Sequence, residues 1–258
     1  MTAERAVLVT RPAGVANDHL CEILAAAGYE ASSQPLLELR ALAPLPAPAR
    51  SLVQSLDNYE HVIFISTNAV GFGMLAIENY WPQLPVGLSW YAIGEATATL
   101  LQEHGISAIT PGSLMTSEGL LAVPQLQAIA GQRVLIVKGE GGREALARTL
   151  RDRDATVDEL ACYQRYCPTL APGDLARRLQ NDNIGAVLLS SGEGLANMRQ
   201  LLSPAETTKF TSLYLVVPSD RVAKLALEAG FKQIVIAENA SDAAMLRALG
   251  DWQRSSGE

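Results

Sequence analysis

The sequence is poor in the residues that build metal centres and disulfide frameworks: its 258 residues hold three cysteines and three histidines. Cys21, Cys162 and Cys167 form no Cys-x-x-Cys pair, and an odd count leaves a disulfide framework incomplete, so they read as reduced thiols of a cytoplasmic protein. His19, His61 and His104 stand far apart, without a His-Glu-x-x-His pattern or a second ligand at helical spacing, and no metal site is expected. No run of 18 apolar residues occurs, and the opening MTAERAVLVT lacks a basic stretch leading into a long apolar one, so neither export nor membrane insertion is indicated. Positive charge is scarce too. The net charge of −7 argues against a non-specific nucleic-acid binder, which needs a basic face. An anionic ligand has to be met locally, by a few arginines and by backbone amides.

With 48% hydrophobic and 18% charged residues, the chain is globular, and its length fits one large or two modest domains. Short β-branched runs recur: AVLVT (6–10), HVIFIS (61–66), WYAIG (90–94), RVLIV (133–137), AVLLS (186–190) and LYLVV (213–217), with shorter candidates at AIT near 109 and QIVIA near 235. Each is followed by an amphipathic helical pattern, and strands alternating with helices predict βαβ units with parallel sheets.

The stretch VLIVKGEGGREAL (134–146) breaks an apolar run at a glycine cluster and turns into a helix pattern, the place where α/β proteins often hold phosphate. Neither phosphate pattern fits. Lys138 precedes the glycines instead of following them, and Glu144 stands where a dinucleotide loop wants its third glycine. The turn still aims N–H groups and a cation at one spot, which suits a carboxylate as readily as a phosphate. The plainer alternative is a strand-to-helix turn without a ligand.

The chain also repeats itself. VLVTRPAG aligns with VLIVKGEG at an offset of 127, setting Arg11 against Lys138 and Gly14 against Gly141. IFISTNAVGFGM aligns with VLLSSGEGLANM at 124, setting Ser66 against Ser190, and TATLLQEHG with VAKLALEAG at 125, setting Gly105 against Gly230. Three blocks in one order at nearly constant spacing indicate an internal duplication into two similar α/β domains, with a site expected in a cleft between them, outside the carboxyl ends of the strands. PLLELRALAP (35–44) and ELACYQRYCP (159–168) occupy matching places, read as extended, and are expected to run side by side as a connector. Whether each repeat folds alone or trades its first βα unit with the other is open at this level.

Taken together, VLVTRPAG, VIFISTNAV, YAIGEATATLL, VKGEGGREAL, CYQRY and the closing βα units resemble the uroporphyrinogen-III synthase family over nearly the whole chain. The resemblance implies an interleaved arrangement, with residues 1–35 and 170–258 in one domain, 44–158 in the other, and 36–43 and 159–169 as connectors. It implies a monomeric, cytoplasmic, cofactor-free lyase that cyclises hydroxymethylbilane to uroporphyrinogen III, inverting ring D, in haem and other tetrapyrrole biosynthesis. The implied partners are that substrate and a transient contact with a neighbouring pathway enzyme, with no nucleic acid and no membrane. A sequence without a Ser/His/Asp triad or metal constellation agrees with chemistry that relies on positioning.

By the same resemblance Tyr163 is the residue for chemistry, assisting departure of the substrate hydroxyl, while Tyr166 is its decoy in CYQRY. The alternative is that Tyr163 packs across the connector with its hydroxyl on a backbone group. Carboxylate binding is expected from the loops after the strands: Thr10 and Arg11; Ser66, Thr67 and Asn68; Gly94 to Thr97; Lys138, Gly139 and Arg143; Ser190, Ser191 and Gly192; Ser219 and Arg221. The bland counterpart makes Ser66, Ser190 and Ser219 helix caps and leaves Arg11 and Arg143 solvated or paired. VPSDRVAKL puts Arg221 and Val222 where the family often has a threonine, and Glu95 and Glu140 repel an anion unless they turn outward. Two rivals stand beside this reading. One is a two-lobed small-molecule binder or sensor of the hinged α/β type; the other is a nucleotide-dependent enzyme, whose loops fail both phosphate patterns.

Overall fold

A computed structural model describes residues 6–112, 114–142 and 144–255, the last five by backbone alone. In chain order the elements are β1 (Ala6–Val9), α1 (Val15–Ala26), β2 (Glu30–Ser33), β3 (Glu38–Ala41), α2 (Ala47–Gln54), β4 (His61–Phe64), α3 (Thr67–Glu78), β5 (Ser89–Ala92), α4 (Glu95–Glu103), α5 (Ser117–Leu121), β6 (Arg133–Gly139), α6 (Ala145–Arg151), β7 (Thr156–Tyr166), α7 (Asp174–Asn181), β8 (Ala186–Leu188), α8 (Gly192–Leu201), α9 (Pro204–Lys209), β9 (Tyr214–Val217), α10 (Asp220–Glu228), β10 (Gln233–Ile236) and α11 (Asp242–Ser255). They divide into two compact units, one from the residues up to Glu38 together with those from Tyr166 onward, the other from Leu39–Arg165.

The first unit is built on a five-stranded sheet in the order β10-β9-β8-β1-β2, with parallel pairs throughout. Its central strands are apolar at every position because helices cover both faces. On one face Leu8, Val187 and Leu215 pack with Leu179, Met198 and Val222 from α7, α8 and α10. On the other, Val7, Val9 and Val216 pack with Leu20 and Leu24 of α1 and Met245 and Leu249 of α11.

The second unit has the order β3-β7-β6-β4-β5, with β4, β5, β6 and β7 parallel where they pair. Val62, Phe64, Leu135 and Val137 face α3, and Gly73 of that helix is needed there, since an added Cβ would fall 2.4 Å from the Val137 side chain. Ile63, Val134 and Ile136 face Leu120 of α5 and Leu146 and Leu150 of α6. The two connectors are strands of this sheet: β3 lies beside β7, with the Leu42 amide donating to the Cys162 carbonyl at 2.9 Å, and the chain passes between the units at the ends of these strands.

The registers explain the repeat. His61 pairs with Ser89 and Ala186 with Tyr214, so both partners move by 125 residues; His61 also pairs with Val134 and Ala186 with Val7, where the second partner moves by 127. Hence β4, β5 and β6 correspond to β8, β9 and β1. Each unit therefore combines the first βαβ segment of one repeat with the later strands of the other, which settles the exchange that the sequence left open. The same registers correct the alignment of the serine block by one residue: at 125, Ser66 matches Ser191 and not Ser190. Tandem serines permit either match, and the sheet register selects one.

Candidate active site

In the first unit the loops after β1, β8 and β9 leave the same edge of a parallel sheet, so their residues converge locally. Thr10 is buried and its hydroxyl donates to the Leu188 carbonyl at 2.6 Å, tying β1 to β8. Arg11 donates through Nε to the Ser190 hydroxyl at 3.3 Å, and its two terminal nitrogens bond the Asp242 carboxylate and the Ala240 carbonyl. His19 meets the second oxygen of Asp242 at 2.9 Å. Burial works to raise the Asp242 carboxyl, but hydrogen bonds from Arg11 and His19 outweigh it and hold the group below its ordinary range. Arg11 is thus a clamp holding the start of α11 and the β8 loop against the end of β1. Thr10 and Arg11, expected to bind a ligand, have partners within this unit for the threonine hydroxyl and for all three guanidinium nitrogens.

The rest of this edge is more open. Ser191 caps α8, accepting from the Gly194 amide at 3.1 Å. Ser219 stands at the cap position of α10, and its hydroxyl makes no cap bond there. Arg221 is exposed and, among the described residues, makes no ion pair; a terminal nitrogen of its guanidinium lies 3.4 Å from where a Cβ on Gly192 would sit. Ser219, Arg221, Ser191 and Gly192 therefore come together as expected, with Arg221 as a cation over the first turn of α8.

In the second unit the loops after β4, β5 and β6 share an edge in the same way. Ser66 caps α3 through the Ala69 amide at 3.0 Å, leaving Thr67 and Asn68 exposed on the first turn. Thr97 is buried, and Gly94 is covered by Met115, whose Cβ, Cγ and Sδ lie 3.3 Å from where a Cβ on Gly94 would sit, so neither offers an open donor. Lys138 is 7% exposed and bonds Glu159 at 2.6 Å; Glu159 also receives Arg151 at 3.2 Å. Burial pushes the Glu159 carboxyl up, and the bonds from Lys138 and Arg151 prevail and bring it below its ordinary range. Lys138, expected to meet a substrate carboxylate, is occupied by Glu159 as Arg11 is by Asp242. Arg143 lies outside the described residues. Glu95 and Glu140 are occupied, accepting from Thr110 at 2.8 Å and from Gln164 at 2.5 Å.

Gly139 and Tyr163 belong together. The β6–β7 register slips between Lys138 and Gly139, so Gly139 faces Tyr163 and Cys162 is the extra residue of a bulge. An added Cβ on Gly139 would fall 2.6 Å from the Tyr163 ring, and Phe72 stacks on that ring at 5.0 Å. Tyr163 is 1% exposed, and its hydroxyl accepts from Arg165 at 3.3 Å. The packing alternative thus describes its ring, while its hydroxyl is on a guanidinium instead of a backbone group. The residues that sequence reasoning missed are the partners: Asp242, Glu159, Arg165 and Phe72. Asp242 alone gave a local signal, an acid in the first turn of a helix.

The family model described as "Uroporphyrinogen-III synthase HemD" matches residues 18–247. The uroporphyrinogen-III synthase of Salmonella typhimurium is 37% identical over 246 residues, covering 94% of this chain and 99% of that one. The Escherichia coli synthase is 36% identical over 249 residues, with coverage of 94% and 99%. Among solved structures, the uroporphyrinogen-III synthetase of Helicobacter pylori superposes with a TM-score of 0.64 at 14% identity, covering 96% of this chain and 99% of that one, which shows a shared fold. A mutant Thermus thermophilus uroporphyrinogen III synthase does so at 0.60 and 17%, with coverage of 97% and 99%. In sequence over nearly its full length, and in fold, the chain belongs to the uroporphyrinogen-III synthase family.

Proposed function

We propose that the chain closes linear hydroxymethylbilane into uroporphyrinogen III, inverting ring D and releasing water, as a step of tetrapyrrole (haem) biosynthesis. The observation that carries this is the 37% identity to a uroporphyrinogen-III synthase, extending over 94% of the chain. The hinged binder or sensor is not favoured, since the curated relatives are synthases.

The substrate bears acetate and propionate groups on each ring. A pyrrole nitrogen lone pair expels the hydroxyl, which takes a proton and leaves as water, and the resulting azafulvene is attacked by a carbon of the terminal ring. For that ring to invert, its bond to the neighbouring ring's methylene breaks and re-forms at its other α-carbon, which loses a proton. Closure without inversion is the spontaneous outcome. The enzyme's task is therefore to hold a flexible polyanion in the inverting conformer and to exclude the competing reaction. Donors fixed at strand ends and helix starts suit that work, because they point at the ligand without reorganising.

Our assignment gives carboxylate binding to the exposed first turn of α3 at Thr67 and Asn68, and to Ser219, Gly192 and Arg221 in the other unit. It gives departure of the hydroxyl to Tyr163. We read the enzyme as a cytoplasmic monomer that meets its pathway neighbours transiently. The test supplies purified protein with freshly made hydroxymethylbilane and separates the type III ring from the type I ring by chromatography. Type III product in excess is expected; type I product alone overturns the proposal.

A further inference from the structure

We propose that Arg165 is a positioning residue for Tyr163, fixing the phenol as a hydrogen-bond donor toward the substrate; this rests on the assignment of Tyr163 to the departing hydroxyl. A guanidinium donates and never accepts. In the 3.3 Å contact between Arg165 Nη2 and the Tyr163 hydroxyl, the phenol oxygen is therefore the acceptor, and its one proton points elsewhere. The guanidinium is itself anchored: Nη1 donates to the Glu140 carbonyl at 3.2 Å, and the Glu140 amide donates to the Tyr163 carbonyl at 2.8 Å. Arg165 also lies over the phenol ring, 5.4 Å from its centre.

The ring has little freedom of its own, being packed against Gly139 and stacked on Phe72. What is left to set is the direction of the O–H bond, and Arg165 sets it. Tyr163 is buried and Arg165 beside it is half-buried, and we place the substrate hydroxyl on that side of the phenol. When the C–O bond of the substrate breaks, the phenol proton goes to the leaving hydroxyl to give water. The phenolate left behind faces a cation within hydrogen-bond reach, which stabilises the charge as it develops. The proton released as the new carbon–carbon bond forms restores the phenol.

The experiment compares Arg165→Met, Arg165→Lys, Tyr163→Phe and the Met/Phe double variant by kcat and KM, with thermal melts to establish folding. Removing the guanidinium as Met is expected to lower kcat about tenfold while KM moves less than about threefold, and Lys recovers most of the loss. In the Tyr163→Phe background the same Met substitution has no further effect, because the two groups act as one. A Met variant with unchanged kcat, or one whose loss persists in the Phe background, overturns the proposal. Should the Met variant fail to fold, the Lys variant decides: near-native kcat supports the role, and a loss as large as about tenfold in a folded Lys variant refutes it. Unchanged turnover in Tyr163→Phe alone refutes the tyrosine assignment instead, which separates the two failures.

Discussion

The ends of β1 and β6 occupy equivalent places in the two units, and each holds a cation clamped by an acid of its own unit. At β1, Arg11 reaches Asp242, which lies 231 residues away, and keeps bonds to Ser190 and Ala240 besides. At β6, Lys138 reaches Glu159 on the neighbouring strand, 21 residues away. The side chains are 12% and 9% exposed, respectively. Duplication preserved the charge at the strand end, and each copy found a different acid to neutralise it. One solution is a forked clamp with spare bonds, the other a single ammonium in a dry place.

The sharpest way to break this symmetry is next to the clamp. Gly139 matches Pro12 at the 127 offset, and the place of a Cβ on Gly139 is taken by the Tyr163 ring. Gly139→Ala is expected to cost about 2–3 kcal/mol, because backbone and ring must both shift, whereas Pro12→Ala stays within about 0.5 kcal/mol. Hydrogen exchange on β6 and β1 measures the two, and a silent Gly139→Ala breaks the account of the bulge.

The clamps themselves come next. Glu159→Gln removes the partner of the buried Lys138 ammonium and is expected to cost about 2 kcal/mol in protection of β6. Asp242→Asn leaves Arg11 its other bonds and costs about 1–2 kcal/mol at β1. Equal losses would mean that the extra bonds of Arg11 contribute nothing. Both carboxyls are held below their ordinary range, so the stability they contribute is present above about pH 4 and is lost as pH falls through the lowered values. Acid titration of Glu159→Gln is accordingly flatter than that of the parent chain.

The smallest effect concerns the thiols. Burial pushes the Cys162 thiol up to about 12. Cys21 and Cys167, both in the first unit, are only partly buried. A thiol reagent at neutral pH is expected to label those two quickly and Cys162 only when the second unit opens, so slow labelling reports on that unit alone. Fast labelling of all three contradicts the burial of the bulge.

Much of the framework was legible in the sequence because periodicity is local. All six long apolar runs are strands, and the offsets of the repeat anticipated two sheets of matching order. β2 was missed: Glu30–Ser33 is polar and lies at a sheet edge, where no continuous apolar run is required. The AIT candidate makes only an isolated bridge between Tyr91 and Ile109. The site was legible as a set of strand-end positions and illegible as chemistry. Whether Arg11 or Lys138 is available to a ligand depends on an acid brought in by tertiary folding, and no local pattern at residue 11 announces Asp242. Conversely, the exposure of Arg221 and the free cap position at Ser219 follow from an ion pair and a cap bond that are not made among the described residues.

The exchange of segments between the repeats also bears on how the molecule comes into being. The second unit is one continuous stretch, complete once Arg165 has left the ribosome, whereas β1 and β2 are synthesised before it and β8, which pairs with β1, after it. Val7, Leu8 and Val9, wholly enclosed in the finished protein, have to wait through most of translation for β8 to arrive. A strand made before the second unit finds its partner only after it, and a nascent chain stalled before residue 186 leaves β1 without β8, an edge open to aggregation.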